Sequence, residues 1–127
     1  MSKRIMKNEE DLDFEISFYE GLLEKNPDFT LALFALSDTY TKKGFFEKGL
    51  LIDKKLAMFK PDDPVIFYNL ACDYSLLSQL ENSLSCLTQA LSLGYDDFEH
   101  LEKDPDLENL RREPCYKELL FKAKQDK

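Results

Sequence analysis

Residues 30–63, TLALFALSDTYTKKGFFEKGLLIDKKLAMFKPDD, and residues 64–97, PVIFYNLACDYSLLSQLENSLSCLTQALSLGYDD, fall on one another without a gap when the chain is shifted by 34 positions. In the first half of each copy, Leu33, Leu36, Ser37 and Tyr40 match Phe67, Leu70, Ala71 and Tyr74. Bulky, bulky, small and aromatic residues at this spacing occupy one face of a helix. In the second half, Phe46, Gly49, Leu50, Leu56 and Ala57 match Leu80, Ser83, Leu84, Ala90 and Leu91, which marks a second helix with its own apolar stripe. Each copy reads as two helices joined by a short turn, too thin to bury its own apolar side without a neighbour.

The small residues in these stripes, Ser37, Gly49, Ala71, Ser83 and Ala90, predict where paired helices approach closely, because bulky side chains hold helix axes apart. Gly44 falls between the two helices of the first copy, where a helix end favours a left-handed residue, and Ser78 takes that place in the second. Pro27 and Pro61 stand 34 apart, each closing a helix before the next repeat begins, and Tyr95 follows in the same phase.

Upstream, Asp11 to Asn26 predicts one more helix with Leu12, Ile16, Tyr19, Leu22 and Leu23 on one face, so that residues 11–29 form half a repeat. Glu15 breaks the small-residue pattern there. Phe14 and Phe18 lie off the main stripe, and two uncovered aromatics predict a surface for self-association, a homodimer in the simplest case. Downstream, Asp104 or Asp106 is placed to cap a short helix around Pro105, Leu107 and Leu110, and a last helix is expected from about Pro114 to Lys124. Phe98, Leu101, Leu107, Leu110, Tyr116, Leu119 and Leu120 then cover the apolar face left by the last repeat.

The 34-residue period with these residues resembles the tetratricopeptide repeat family, over two full copies and flanking pieces on both sides. The stretch from Leu93 to Leu120, LGYDDFEHLEKDPDLENLRREPCYKELL, is similar to the closing segment of many such proteins, bacterial ones above all. The resemblance implies an all-α fold, a right-handed α-α superhelix of antiparallel helix pairs with a C-terminal capping helix. It would span residues 1–127 as one domain: half repeat 11–29, repeats 30–63 and 64–97, and capping segment 98–127.

Length and composition agree with a single globular domain: 127 residues, 43% hydrophobic and 33% charged, with only four Gly and five Pro. A net charge of −8 argues against nucleic-acid phosphates and acidic membrane surfaces as partners, since both reward a basic face. The charge is uneven. Residues 64–97 carry no Lys or Arg and four acids, Asp73, Glu81, Asp96 and Asp97, whereas residues 30–63 carry six Lys against five acids. The basic start, Met1 to Lys7, runs into Asn8, Glu9, Glu10 and Asp11 and lacks the apolar core of an export signal. No apolar run approaches the roughly 20 residues of a membrane span. Cys72, Cys86 and Cys115 are odd in number and lack metal-ligand spacing, which predicts reduced thiols in the cytoplasm.

Catalysis needs convergent reactive groups, and the chain offers one His, His100, no glycine-rich phosphate loop and no nucleophile motif. The acidic pairs Asp62 with Asp63, Asp96 with Asp97 and Asp104 with Asp106 stand at helix starts, where carboxylates offset the helix dipole. His100 lacks a second His or Cys nearby to complete a zinc site. The expectation is a non-enzyme without cofactor or metal.

In the family that the chain resembles, first helices line a concave groove that receives an extended or helical peptide. The corresponding strip here is Leu31, Phe34 and Asp38 on one copy and Val65, Tyr68, Asn69 and Cys72 on the other, with Phe34 and Tyr68 34 positions apart and aligned. Aromatic area of this kind dominates interface energies, and Asn69 can pair with a peptide backbone. Of the Lys, Arg and Asn set by which some members grip acidic chaperone tails, only Asn69 has a match. With Asp38 in the strip and no cation in the second copy, an apolar or basic protein segment is the expected partner. The leading expectation is therefore a protein-binding scaffold or adaptor. The alternatives are a small acidic cytoplasmic chaperone for a secreted protein, of the kind some bacteria build from such repeats, and a self-assembling oligomer.

Overall fold

The computed structural model describes residues 8–126; the basic start at residues 1–7 and the last residue of the 1–127 domain lie outside the described residues. Among the described residues every regular element is helical and no strand occurs, as the repeat pattern requires. The first helix, α1, runs Glu9–Lys25 and starts two positions before the expected Asp11. Its cap explains the difference. Asn8 Oδ1 accepts the Asp11 N–H at 2.8 Å, and Glu9, Glu10 and Asp11 fill the first turn, where negative charge offsets the helix dipole.

The first repeat folds into α2, Thr30–Lys43, and α3, Phe46–Phe59; the second into α4, Pro64–Leu76, and α5, Leu80–Ser92. The turns within the two copies share one hydrogen-bond scheme. The Phe45 N–H donates to Tyr40 O at 2.8 Å, and 34 positions on the Gln79 N–H donates to Tyr74 O at 2.8 Å. Both schemes need a left-handed residue, supplied by Gly44 at φ 88° and by Ser78 at φ 59°. Asp63 opens α4, its carboxylate accepting the Val65 N–H at 2.9 Å, with Pro64 in the first turn.

Consecutive helices pack in order, α1 on α2, α2 on α3, α3 on α4 and α4 on α5. The small residues sit at the closest crossings. Gly49 passes Ser37 so nearly that an added Cβ would stand 3.3 Å from Thr41 Oγ1 and 3.6 Å from Ser37 O. In the second copy Ala71 and Ser83 take the equivalent places, and the Ser83 hydroxyl donates to Ala71 O at 2.6 Å. The two repeats thus keep one close crossing with the hydroxyl on opposite helices.

Glu15, which broke the small-residue pattern, accepts the Thr39 hydroxyl at 3.3 Å across the α1–α2 interface. Farther along, the Tyr40 hydroxyl donates to Glu20 at 2.6 Å, and Lys43 pairs with Glu9 and with Asp13. The Lys43 pairs join the start of α1 to the end of α2, which makes the two helices antiparallel.

The closing segment comprises α6, Phe98–Lys103, a 3-10 turn at Pro105–Leu107, α7, Glu108–Arg111, and α8, Pro114–Gln125. Leu101, Leu107, Leu110 and Tyr116 are buried against Ala71, Leu87 and Ala90, as their spacing predicts. Full burial of one leucine contributes about 1.5–3 kcal/mol, enough in sum to fix the segment. Polar ties orient it: Asn109 donates to Ser75 O at 3.0 Å, and Arg111 to the backbone oxygens of Leu101 and Asp104 at 2.8 and 2.7 Å.

Candidate functional site

A groove with a volume of about 830 Å³ runs along α2 and α4 between Leu12 on α1 and His100 and residues 104–106 of the closing segment. Phe34, Asp38, Tyr68, Asn69 and Cys72 from the expected strip all line it. Val65 stands instead in a neighbouring hollow of about 440 Å³, which shares Tyr68, Asn69 and His100 with the groove. Leu31, 74% exposed, lines neither.

Two members of the strip are less open than their helix positions suggested. Tyr68 and Cys72 are buried, because the closing segment lays Asp104 across them. The Tyr68 hydroxyl donates to Asp104 Oδ2 at 2.5 Å, and the Cys72 thiol approaches the same oxygen at 3.8 Å. The Tyr68 ring stacks on Tyr95, with centroids 4.5 Å apart, and tilts against His100 at 5.7 Å; Phe34 is not among its ring partners. Burial, followed by the Asp104 charge, pushes the Cys72 thiol well up, which makes it a packing residue and a poor nucleophile. Burial likewise leads the rise of the Tyr68 hydroxyl.

Three of the acids at helix starts act as caps. Asp63 and Asp97 accept N–H groups of their own helices, and Asp104 Oδ1 accepts the Asp106 N–H at 2.9 Å. Asp104 also has a use that capping does not reveal. Its second oxygen faces the groove, where it meets Tyr68 and, at 3.3 Å, His100 Nε2. Among the described residues no group of three or more His, Cys, Asp or Glu is placed to hold a metal ion.

Two groove residues escaped the sequence reading altogether. Asp53 on α3 and Asp73 on α4 are only 2% and 3% exposed, and both line the groove. Asp53 Oδ1 accepts the Ser37 hydroxyl at 2.7 Å. Asp73 lies beside Asp53, close enough for one proton to serve both carboxyl groups. Burial, with Asp53 beside it, pushes the Asp73 carboxyl up to about 10. Burial raises Asp53 too, while its hydrogen bonds to Asp73 and Ser37 work in the other direction. Asp106 is also raised, by burial first and then by Asp104 and Asp38. A signal for the pair existed in the repeat: Asp53 occupies the place of buried Leu87, and Asp73 that of buried Thr39. Charge at a core position is costly unless it is paired, so such a mismatch marks a special site.

The groove therefore presents five carboxyl groups, on Asp38, Asp53, Asp73, Asp104 and Asp106, beside Lys42 and His100. Lys42 is already engaged with Asp38 at 2.8 Å. On α1, Phe14 and Phe18 are 71% and 52% exposed and stack with centroids 6.5 Å apart. Cys86 is half-buried and Cys115 exposed, and all three cysteines are free. No described helix is long and apolar enough to cross a membrane.

Over 84 residues the chain is 39% identical to a chloroplastic protein of Arabidopsis thaliana, a match that covers 64% of this chain and 25% of that protein. The chain thus matches about a quarter of that relative's length. That relative is a plant protein, so it lends no support to a bacterial source for the closing segment. No family model and no solved structure matches.

Proposed function

We propose that this chain is a non-catalytic scaffold of the tetratricopeptide type that holds an extended or helical segment of a partner protein in the groove beside α2 and α4. On this reading α1 is the second helix of an incomplete repeat, α2 to α5 are two full repeats winding as a right-handed superhelix, and residues 98–127 cap the array. The carrying observation is the groove itself: about 830 Å³ in volume and walled by α2, α4 and the closing segment, it is large enough to seat several side chains. The matched crossings at Ser37 with Gly49 and at Ala71 with Ser83 support the repeat assignment.

The acidic lining favours a basic or apolar client and disfavours nucleic acid, and the free cysteines suit a reducing aqueous compartment, the cytoplasm in the first instance. A chaperone for a secreted client would use the same groove and differ in holding its client unfolded. The test is a pull-down with the wild type and with Phe34→Ala combined with Asn69→Ala, both checked by circular dichroism. Loss of one partner from the folded double variant supports the groove, whereas equal retention of every partner overturns it.

The stacked pair Phe14 and Phe18 favours a second reading, a homodimer formed through α1. Molar mass in solution decides it. The reading requires a dimer for the wild type and a monomer for Phe14→Glu, and a monomer in both ends it.

A further inference from the structure

We propose that the Asp53–Asp73 floor of the groove is a receiving pocket for one arginine side chain of the bound segment. This rests on the scaffold reading above and adds what the groove selects.

Two observations point to a cationic visitor. First, Asp73 is only 3% exposed and yet lines the groove, and its Oδ2 receives no hydrogen bond from any N–H or O–H donor among the described residues. A buried carboxyl oxygen left this way carries a desolvation cost that a donor entering the groove would relieve. Second, the surrounding charge is one-sided. Asp104 and Asp106 add carboxyl groups, Asp38 and Lys42 offset each other at 2.8 Å, and no other Lys or Arg lines the cavity.

The choice of arginine follows from shape. Asp53 and Asp73 come from adjacent helices and both line the groove, so two carboxyl groups stand at one place in it. A planar guanidinium carries five donors in a rigid fork that can meet two carboxyl groups at once, and its weaker hydration makes it cheaper to bury than an ammonium. The cation also changes what the pair holds. With one proton the pair carries a single negative charge; an arriving guanidinium favours the doubly ionised form, and the shared proton passes to solvent. Binding therefore tightens with rising pH. The other titratable groups beside the pair are Asp38 on α2, itself paired with Lys42, Cys72 on α4, Cys86 on α5 and Asp106 in the closing segment, and the two thiols remain neutral, since burial raises both.

The experiment uses pools of random peptides that share a fixed central residue, Arg, citrulline or Glu, offered to the full chain and to its Asp73→Asn and Asp53→Asn variants. Citrulline keeps the shape of arginine without its charge. The wild type should hold the arginine pool at least about tenfold more tightly than the citrulline pool. That ratio should fall towards one in Asp73→Asn and Asp53→Asn. Calorimetry in two buffers of different ionisation enthalpy should show proton release with the arginine pool only. Equal capture of the arginine and citrulline pools by the wild type overturns this inference and leaves the scaffold reading standing. An unchanged ratio in both folded variants overturns it as well. Capture of no pool at all overturns both.

Discussion

The hydroxyl of Tyr68 donates to Asp104 Oδ2 at 2.5 Å, joining α4 to a residue 36 positions further along the chain. The same carboxylate caps the turn that follows it, so one side chain both starts the 3-10 turn and docks it against the repeat. A hydrogen bond to a charged group contributes about 1.5–3 kcal/mol, and loss of a cap costs about 0.5–2 kcal/mol. Asp104→Ala should therefore destabilise the chain by more than Tyr68→Phe. In urea unfolding the two substitutions should also fall short of additivity by about 1–2 kcal/mol. Full additivity would mean that the contact carries no energy.

The two inter-helix turns make opposite predictions at equivalent positions. Gly44 and Ser78 both have positive φ, a conformation that costs an L-residue with a side chain about 1–2 kcal/mol. Ser78→Gly should stabilise the chain by about 1 kcal/mol, and Gly44→Ala should destabilise it by about as much. No atom lies within 4 Å of a Cβ built at Gly44, so the cost there is conformational rather than steric. Thermal midpoints that move in the same direction for both variants would contradict the shared turn.

The Asp53–Asp73 pair makes stability depend on pH. Burial holds the Asp73 proton up to about 10, whereas a carboxyl in the unfolded chain releases its proton near about 4. Between those values the folded state binds more protons than the unfolded, so stability falls as pH rises across the window. The slope reaches about 1.4 kcal/mol per pH unit for one full proton. Asp53 and Asp106, also raised by burial, act in the same direction. Asp73→Asn removes one titrating proton, so the variant should gain on the wild type progressively from about pH 5 to about pH 9. Parallel curves for the two proteins would rule out the shared proton.

The repeat made the helices legible, and with them the crossings and the caps. Ser37, Gly49, Ala71 and Ser83 could be placed at contacts because a period of 34 fixes which residues meet, and Gly44 and Ser78 could be placed at turns for the same reason. Tyr68 and Cys72 show where that logic ends. Helix periodicity puts both on the face away from their own partner helix, but what covers that face depends on a segment outside the repeat, and no periodicity says where such a segment lands. Asp53 and Asp73 were missed for another reason: a carboxylate in a helical pattern reads as solvent-facing. Only comparison with Leu87 and Thr39 at the matching positions shows that these two face inward.

Hydrogen exchange of the full chain, alone and with the partner that the wild type retains, tests most directly that the groove is where this protein binds. Exchange should slow in α2, in α4 and in residues 98–107, with α5 unchanged. Slowing confined to α5, with the groove helices exchanging as before, would contradict this.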